Sequence, residues 1–154
     1  MSNSPSDSGS GDAPPAPPSF PRPLPQTEGD AAPFWQALAR GVVELQRCDA
    51  CRRHVFPPRP FCPHCHARGL SWEAVESRSR LLTWSIVHRP THPWFFGQAP
   101  YVYALVELPC GVRLPTRLVD VPHEHLAVGL EVEPRFERVD EKVTLLHFGL
   151  GTPA

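Results

Sequence analysis

The sequence predicts a mainly β protein in which a short N-terminal helix leads into a cysteine-rich ribbon and then a small five-stranded barrel. Three observations carry this expectation. Two Cys-x2-Cys pairs, Cys48 with Cys51 and Cys62 with Cys65, stand ten residues apart. From Ser71 onward, apolar residues recur with period two between turn signals, as short strands require. Ahead of both, Pro33-Phe34-Trp35-Gln36-Ala37-Leu38-Ala39-Arg40-Gly41 has proline at the start and glycine past the end of a two-turn helix.

The cysteines are the most specific signal. A two-residue gap lets a tight knuckle aim both sulfurs at one ion, and two knuckles complete a tetrahedron. Four thiolates with no open position suit a structural zinc ion rather than a catalytic one, so Cys48, Cys51, Cys62 and Cys65 are the expected ligands. The competing reading is two disulfides. It is disfavoured because the N-terminus has neither the charged n-region nor the apolar h-region of a secretory signal, and the expected setting is cytoplasmic and reducing. His54, His64 and His66 lie in or beside the knuckles and, with four well-spaced cysteines available, read as surface residues. Arg47, Arg52, Arg53 and Arg59 surround the site. A zinc ion held by four thiolates has a formal charge of minus two, which such cations offset.

Over 154 residues the formal charge of −1 hides a segregation. Residues 1–33 carry −3, residues 34–46 zero, residues 47–89 +5 and residues 90–154 −3. A basic ribbon and an acidic second half suit an anionic partner or each other. No run of eighteen apolar residues occurs, so no membrane span is expected.

In chain order, residues 1–32 are rich in Ser, Gly, Asp, Ala and Pro and contain eight of the 21 prolines. Such a segment buries too little to offset its ordering entropy and is expected to be disordered, with polyproline II favoured between Pro14 and Pro25. Residues 33–72 form the helix and ribbon. The helix is too short to stand alone, so Phe34, Leu38 and Trp35 must pack on the domain or on another subunit. Val42–Arg47 reads as the strand entering the first knuckle, and Val55-Phe56 as the strand leaving it. Pro57, Pro58 and Pro60 exclude a central strand beyond that point. At the exit, Trp72 is expected to cover the joint between modules.

Residues 73–154 form the barrel. Leu82, Trp84 and Ile86 alternate with Thr83 and Ser85, and Tyr101–Leu108 is apolar on both faces like a central strand. A turn at Pro109-Cys110-Gly111 leads to Val112–Val119, where Leu114, Thr116 and Leu118 face one way and Arg113 and Arg117 the other. His123–Gly129 reads as a helical turn closed by glycine. Leu130–Val139 and Val143–Phe148 pair through Asp140-Glu141. Five strands so spaced fit a Greek-key barrel of the OB type.

Several of these stretches together resemble one family. They are Pro33-Phe34-Trp35 with Leu38 and Gly41, Leu45-Gln46-Arg47-Cys48, Phe56-Pro57-Pro58-Arg59 before Cys62-Pro63-His64-Cys65, Val87-His88-Arg89 with His92-Pro93, Pro100-Tyr101-Val102 with Val106-Glu107-Leu108, and Gly111-Val112-Arg113. The family is that of zinc-ribbon and OB-fold proteins first filed as domain of unknown function thirty-five, with a rubredoxin-like ribbon. The resemblance spans residues 33–149. It implies a non-catalytic accessory subunit that binds zinc structurally and partners an acyl-CoA-handling enzyme, of the thiolase superfamily or a MaoC-like hydratase. In that role the ribbon docks and the barrel shapes the CoA or substrate passage. The proline-rich tail has no counterpart in the family core, and Pro115 within the third barrel strand suggests an edge or bulge.

Outside the metal site, residues 88–97 stand out as a long connection holding cations beside three aromatics. Arg89 has the fork geometry for a CoA phosphate. Trp94, Phe95 and Phe96 suit a lid over the barrel end, an anchor in a partner, or a packing face for CoA. No catalytic constellation is visible: Cys110 lies in a turn with no histidine as sequence neighbour, and residues 131–141 form no acid–base motif. Because ribbons and OB barrels also bind single-stranded nucleic acid, that reading is the alternative. A single lysine and a mildly acidic chain weigh against it.

Overall fold

The computed structural model describes residues 20–151. The first nineteen residues of the expected tail lie outside the described residues.

The helix α1, Ala32–Ala39, begins with proline in its first turn and ends where Gly41 takes a φ of 74° and donates its N–H to Leu38. Only glycine adopts that backbone without strain. Phe34, Ala37 and Leu38 are buried, and Phe34 and Leu38 belong to the same cluster as the barrel interior. Of the two surfaces open to the helix, it is therefore the chain's own domain that takes the apolar stripe.

Strands β1 (Glu44–Cys48), β2 (His54–Val55) and β3 (Leu70–Ala74) form a three-stranded antiparallel sheet in the order β2-β1-β3. The segment that leads out of the ribbon is a paired strand, matched to β1 from Glu44↔Ala74 to Cys48↔Leu70. Trp72 is half-buried against the main core, at the joint.

The barrel closes in the order β4-β5-β6-β8-β7, from β4 (Ser79–Val87), β5 (Tyr101–Glu107), β6 (Arg113–Leu118), β7 (Glu131–Arg138) and β8 (Thr144–Gly149). Leu81, Val106, Val132 and Phe148 are fully buried at its centre. The register of β4 against β5 slips between Leu81 and Thr83. A bulge there reverses the side-chain parity, which lets Leu81 and then Trp84 and Ile86 all face inward. Strand β5 differs from its expected reading as apolar on two buried faces. Val102, Ala104 and Val106 point into the barrel, whereas Tyr103 on the other face is 51% exposed.

Strand β6 meets β8 in parallel at one register pair, Leu118↔Phe148. Pro115 therefore sits along an almost unpaired edge, where a missing N–H removes no ladder bond. Helix α1 lies over this seam, and Phe34, Leu38, Leu114 and Phe148 line a cavity of about 150 Å³ there.

Residues 20–32 belong to the segment expected to be disordered and are described from Phe20 onward. Within them, Arg22 is tied to Glu137 of β7 by two hydrogen bonds. Composition carried no signal for this contact, which is one distant ion pair and not buried apolar area.

Candidate metal centre and aromatic loop

The two knuckles repeat one backbone design. In the first, Cys48 N–H donates to Arg53 and Arg52 N–H donates to Cys48; in the second, Cys62 N–H donates to Ala67 and His66 N–H donates to Cys62. Arg52 and His66 each adopt a φ of 63°, the left-handed residue that folds each knuckle back on itself. Backbone N–H groups are aimed at sulfur, Cys51 to Cys48 Sγ at 3.5 Å and His64 to Cys62 Sγ at 3.4 Å.

The four sulfurs of Cys48, Cys51, Cys62 and Cys65 lie within 4.8 Å of one another. Across the knuckles, Cys48 and Cys65 are 3.5 Å apart and Cys51 and Cys62 are 3.7 Å apart. A zinc ion with Zn–S distances of about 2.3 Å needs sulfur–sulfur edges of about 3.8 Å, so this donor set fits tetrahedral zinc. Without a cation the thiols at the two ends of the cluster ionise unequally. The Cys51 backbone N–H lowers Cys48 to about 7. Cys65 is raised to about 11, because neighbouring sulfurs and burial outweigh the downward pull of the Ala67 N–H. A cation bound by all four as thiolates removes that inequality.

Around the centre, Arg47 donates to the Arg52 carbonyl and to Glu73, and Arg53 lies 3.5 Å from His64 Nδ1. His54 and then Arg47 hold the Glu73 carboxyl below its ordinary range. His54, His64 and His66 lie outside the sulfur cluster.

One arrangement was invisible in the sequence. Arg52, Arg53, His54, His64 and Cys110 line a shared cleft of about 380 Å³ between the ribbon and the β5–β6 turn. Its imidazoles have partners other than Cys110, His54 Nε2 with Glu73 at 2.7 Å and His64 Nδ1 with Arg53. Among the described residues, no hydrogen bond joins either to Cys110.

The connection between β4 and β5 contains a 3-10 turn, Pro93–Gln98, whose first N–H, that of Trp94, is capped by His92 Nδ1 at 3.2 Å. Its three aromatics have different environments. Phe95 is half-buried between Trp94, at 4.8 Å edge-on, and Tyr101, at 5.7 Å. Phe96 is 59% exposed. Arg89 is exposed, and the cation over Trp94 is instead Arg22, with its guanidinium carbon 4.7 Å from the ring centroid. Glu137, which receives Arg22, also meets His147 Nε2 at 2.8 Å. Sequence spacing carried no signal for this group, whose members are dispersed over the chain.

A four-cysteine ribbon packed beside a closed five-stranded barrel places the protein in the class of zinc-ribbon and OB-fold proteins. The family model for the ChsH2 rubredoxin-like zinc ribbon domain matches residues 35–71, and that for the ChsH2 C-terminal OB-fold domain matches residues 72–137. The chain is 36% identical over 97 residues to a DUF35 domain-containing scaffold protein of Methanothermobacter thermautotrophicus, covering 62% of this chain and 72% of the relative. It belongs to the ChsH2/DUF35 family.

A probable enoyl-CoA hydratase alpha subunit of Thermomonospora curvata is 35% identical over 134 residues, which span 86% of this chain but 41% of the relative. The chain thus spans less than half of that longer protein. Among solved structures, one described as Ltp2-ChsH2(DUF35) aldolase superposes with a TM-score of 0.73 at 32% identity, over 82% of this chain and 98% of that one. No described helix is long and apolar enough to cross a membrane.

Proposed function

We propose that this chain is a non-catalytic accessory subunit that holds one zinc ion structurally and partners an acyl-CoA-handling enzyme of the thiolase superfamily or a MaoC-like hydratase. In this reading the helix and ribbon, residues 33–72, form the docking module, and the barrel, residues 73–154, shapes the CoA or substrate passage. Cys48, Cys51, Cys62 and Cys65 hold the zinc. The observation that carries the reading is the closed donor set: all four tetrahedral positions are filled by sulfur, which leaves none for a substrate. The ion's contribution is a cross-link between two knuckles that have only a small apolar cluster of their own.

Support for an acyl-CoA partner comes from the relative described as a probable enoyl-CoA hydratase alpha subunit, and support for an enzyme partner from the solved structure described as an aldolase. The exposed Phe96 and the arginines of the ribbon supply the aromatic and guanidinium groups that interfaces favour. Arg89 is accessible to a CoA phosphate at the same connection.

The test is co-expression with a thiolase-superfamily enzyme and, separately, a MaoC-like hydratase encoded in the same genome. Light scattering reads the complex, and acetoacetyl-CoA thiolysis or crotonyl-CoA hydration reads turnover. A stable complex with one enzyme, and an isolated chain without turnover, are expected. Turnover by the chain alone, or salt-dependent binding of single-stranded nucleic acid with no enzyme bound, overturns the reading.

A further inference from the structure

Hydrophobic burial does not hold residues 20–31 against the barrel. Phe20 and Leu24 in this segment are 46% and 45% exposed. What anchors it is Arg22, between Pro21 and Pro23. Its Nη1 donates to Glu137 Oε1 at 2.7 Å and its Nη2 to Glu137 Oε2 at 2.8 Å. The same guanidinium lies 4.7 Å over the Trp94 ring.

The receiving pocket is built from three separate elements. Trp94 comes from the 3-10 turn and is braced edge-on by Phe95. Glu137 lies near the end of β7, and His147, on the neighbouring β8, also meets its Oε2, at 2.8 Å. A carboxylate presenting both oxygens beside an aromatic face is complementary to a planar, delocalised cation. Arginine satisfies both contacts at once, whereas an ammonium cannot. The prolines on either side restrict the backbone before it binds, which lowers the ordering cost of presenting that single side chain.

We propose that Trp94, Glu137 and His147 form a binding pocket for an arginine in a proline-flanked segment, that the chain's own Pro21–Pro25 fills it, and that the Trp94 face of the aromatic loop is thereby covered in the free protein, with Phe96 left exposed. The covering role rests on the proposed accessory function; the pocket itself does not. One exposed fork and one cation–π contact favour the covered state by a factor of about ten. Such an occupant is displaceable. An enzyme that docks on the loop pays that factor, and removing Arg22 restores it.

The experiment uses the full chain labelled with 5-fluorotryptophan, which gives one fluorine signal for each of its four tryptophans. Trp94→Phe assigns the Trp94 signal. Arg22→Ala, Arg22→Lys and Glu137→Gln are expected to move that signal to one common position while those of Trp35, Trp72 and Trp84 stay in place. A Trp94 signal unmoved by Arg22→Ala overturns the pocket. For the covering role, wild type and Arg22→Ala are titrated against the enzyme captured in the co-expression test. Binding about ten-fold tighter by Arg22→Ala is expected, and equal affinity overturns it. If neither protein binds any enzyme, the accessory function and the covering role fall together, and the fluorine signal alone decides the pocket.

Discussion

Gln46 and Arg59 are joined by a reciprocal pair of hydrogen bonds, from Gln46 Nε2 to the Arg59 carbonyl at 3.0 Å and from the Arg59 N–H to Gln46 Oε1 at 2.8 Å. The side-chain amide acts as one rung of a sheet. Within Pro57-Pro58-Arg59-Pro60 only Arg59 has a backbone N–H to offer, so no strand could pair there. Gln46 instead pins the approach to the second knuckle onto the strand that enters the first, and it is 6% exposed while doing so.

Gln46→Ala leaves the Arg59 N–H and carbonyl without that partner and is expected to cost about 1–3 kcal/mol in urea unfolding. Gln46→Glu keeps an acceptor for the Arg59 N–H but sets a carboxylate oxygen against its carbonyl. It is expected to be no better than alanine. Both variants should also release zinc faster to a chelator, because the spacing of the knuckles loosens.

Cys48→Ser or Cys62→Ser leaves three thiolates of four, and zinc per chain, measured by atomic emission, should fall well below one equivalent. The knuckles should lose their cooperative unfolding while the barrel, whose core lies outside the small cluster of Cys48, Val55 and Cys62, keeps its strand signal. Acidification should act in the same direction, since metal binding requires four deprotonated sulfurs and protons compete for them. Full zinc in either variant would remove that cysteine from the ligand set.

Glu137 faces Arg22 from the N-terminal segment and His147 from β8, and these two, Arg22 first, hold its carboxyl down at about 2. A lowered carboxylate pKa stabilises the folded state above the ordinary value of 4.5, and the effect disappears as pH falls through 2. Wild type should therefore exceed Arg22→Ala in stability at pH 6, and the gap should narrow between pH 4.5 and 2 to what the Trp94 contact contributes. The side chain of Glu137 is 44% exposed, so the part of the gap lost on acidification, which is that of the ion pair, should stay below about 1 kcal/mol. A gap that grows on acidification contradicts the pairing.

Phe95 and Phe96 should separate stability from assembly. Phe95→Ala removes the ring between Trp94 and Tyr101 and is expected to lower stability by about 1–2 kcal/mol. Phe96→Ala removes a ring that solvent already reaches, so stability should change by less than about 0.5 kcal/mol. If the loop docks on an enzyme, Phe96→Ala should nonetheless weaken that complex by about 1–3 kcal/mol, read by calorimetry.

The sequence by itself determined the features whose cause is local. Cysteine spacing fixes the metal centre because two residues between sulfurs dictate one knuckle geometry, seen twice with the same hydrogen bonds. Proline and glycine bound the helix through their own backbone limits, and the alternation of Leu114, Thr116 and Leu118 declares which face of β6 is buried. Tertiary structure decided what depends on the path of the chain. The bulge that turns Leu81 and Trp84 inward together, the single bridge between β6 and β8, and the cleft that brings Cys110 to two histidines have no periodic signature. The aromatic loop shows the division best. Its three rings are plain in the sequence, with Arg89 the nearest cation, yet the cation that settles on Trp94 is Arg22, whose carboxylate partner lies 115 residues further along the chain. A guanidinium goes where a carboxylate and a ring face coincide in space, and only the folded barrel makes them coincide.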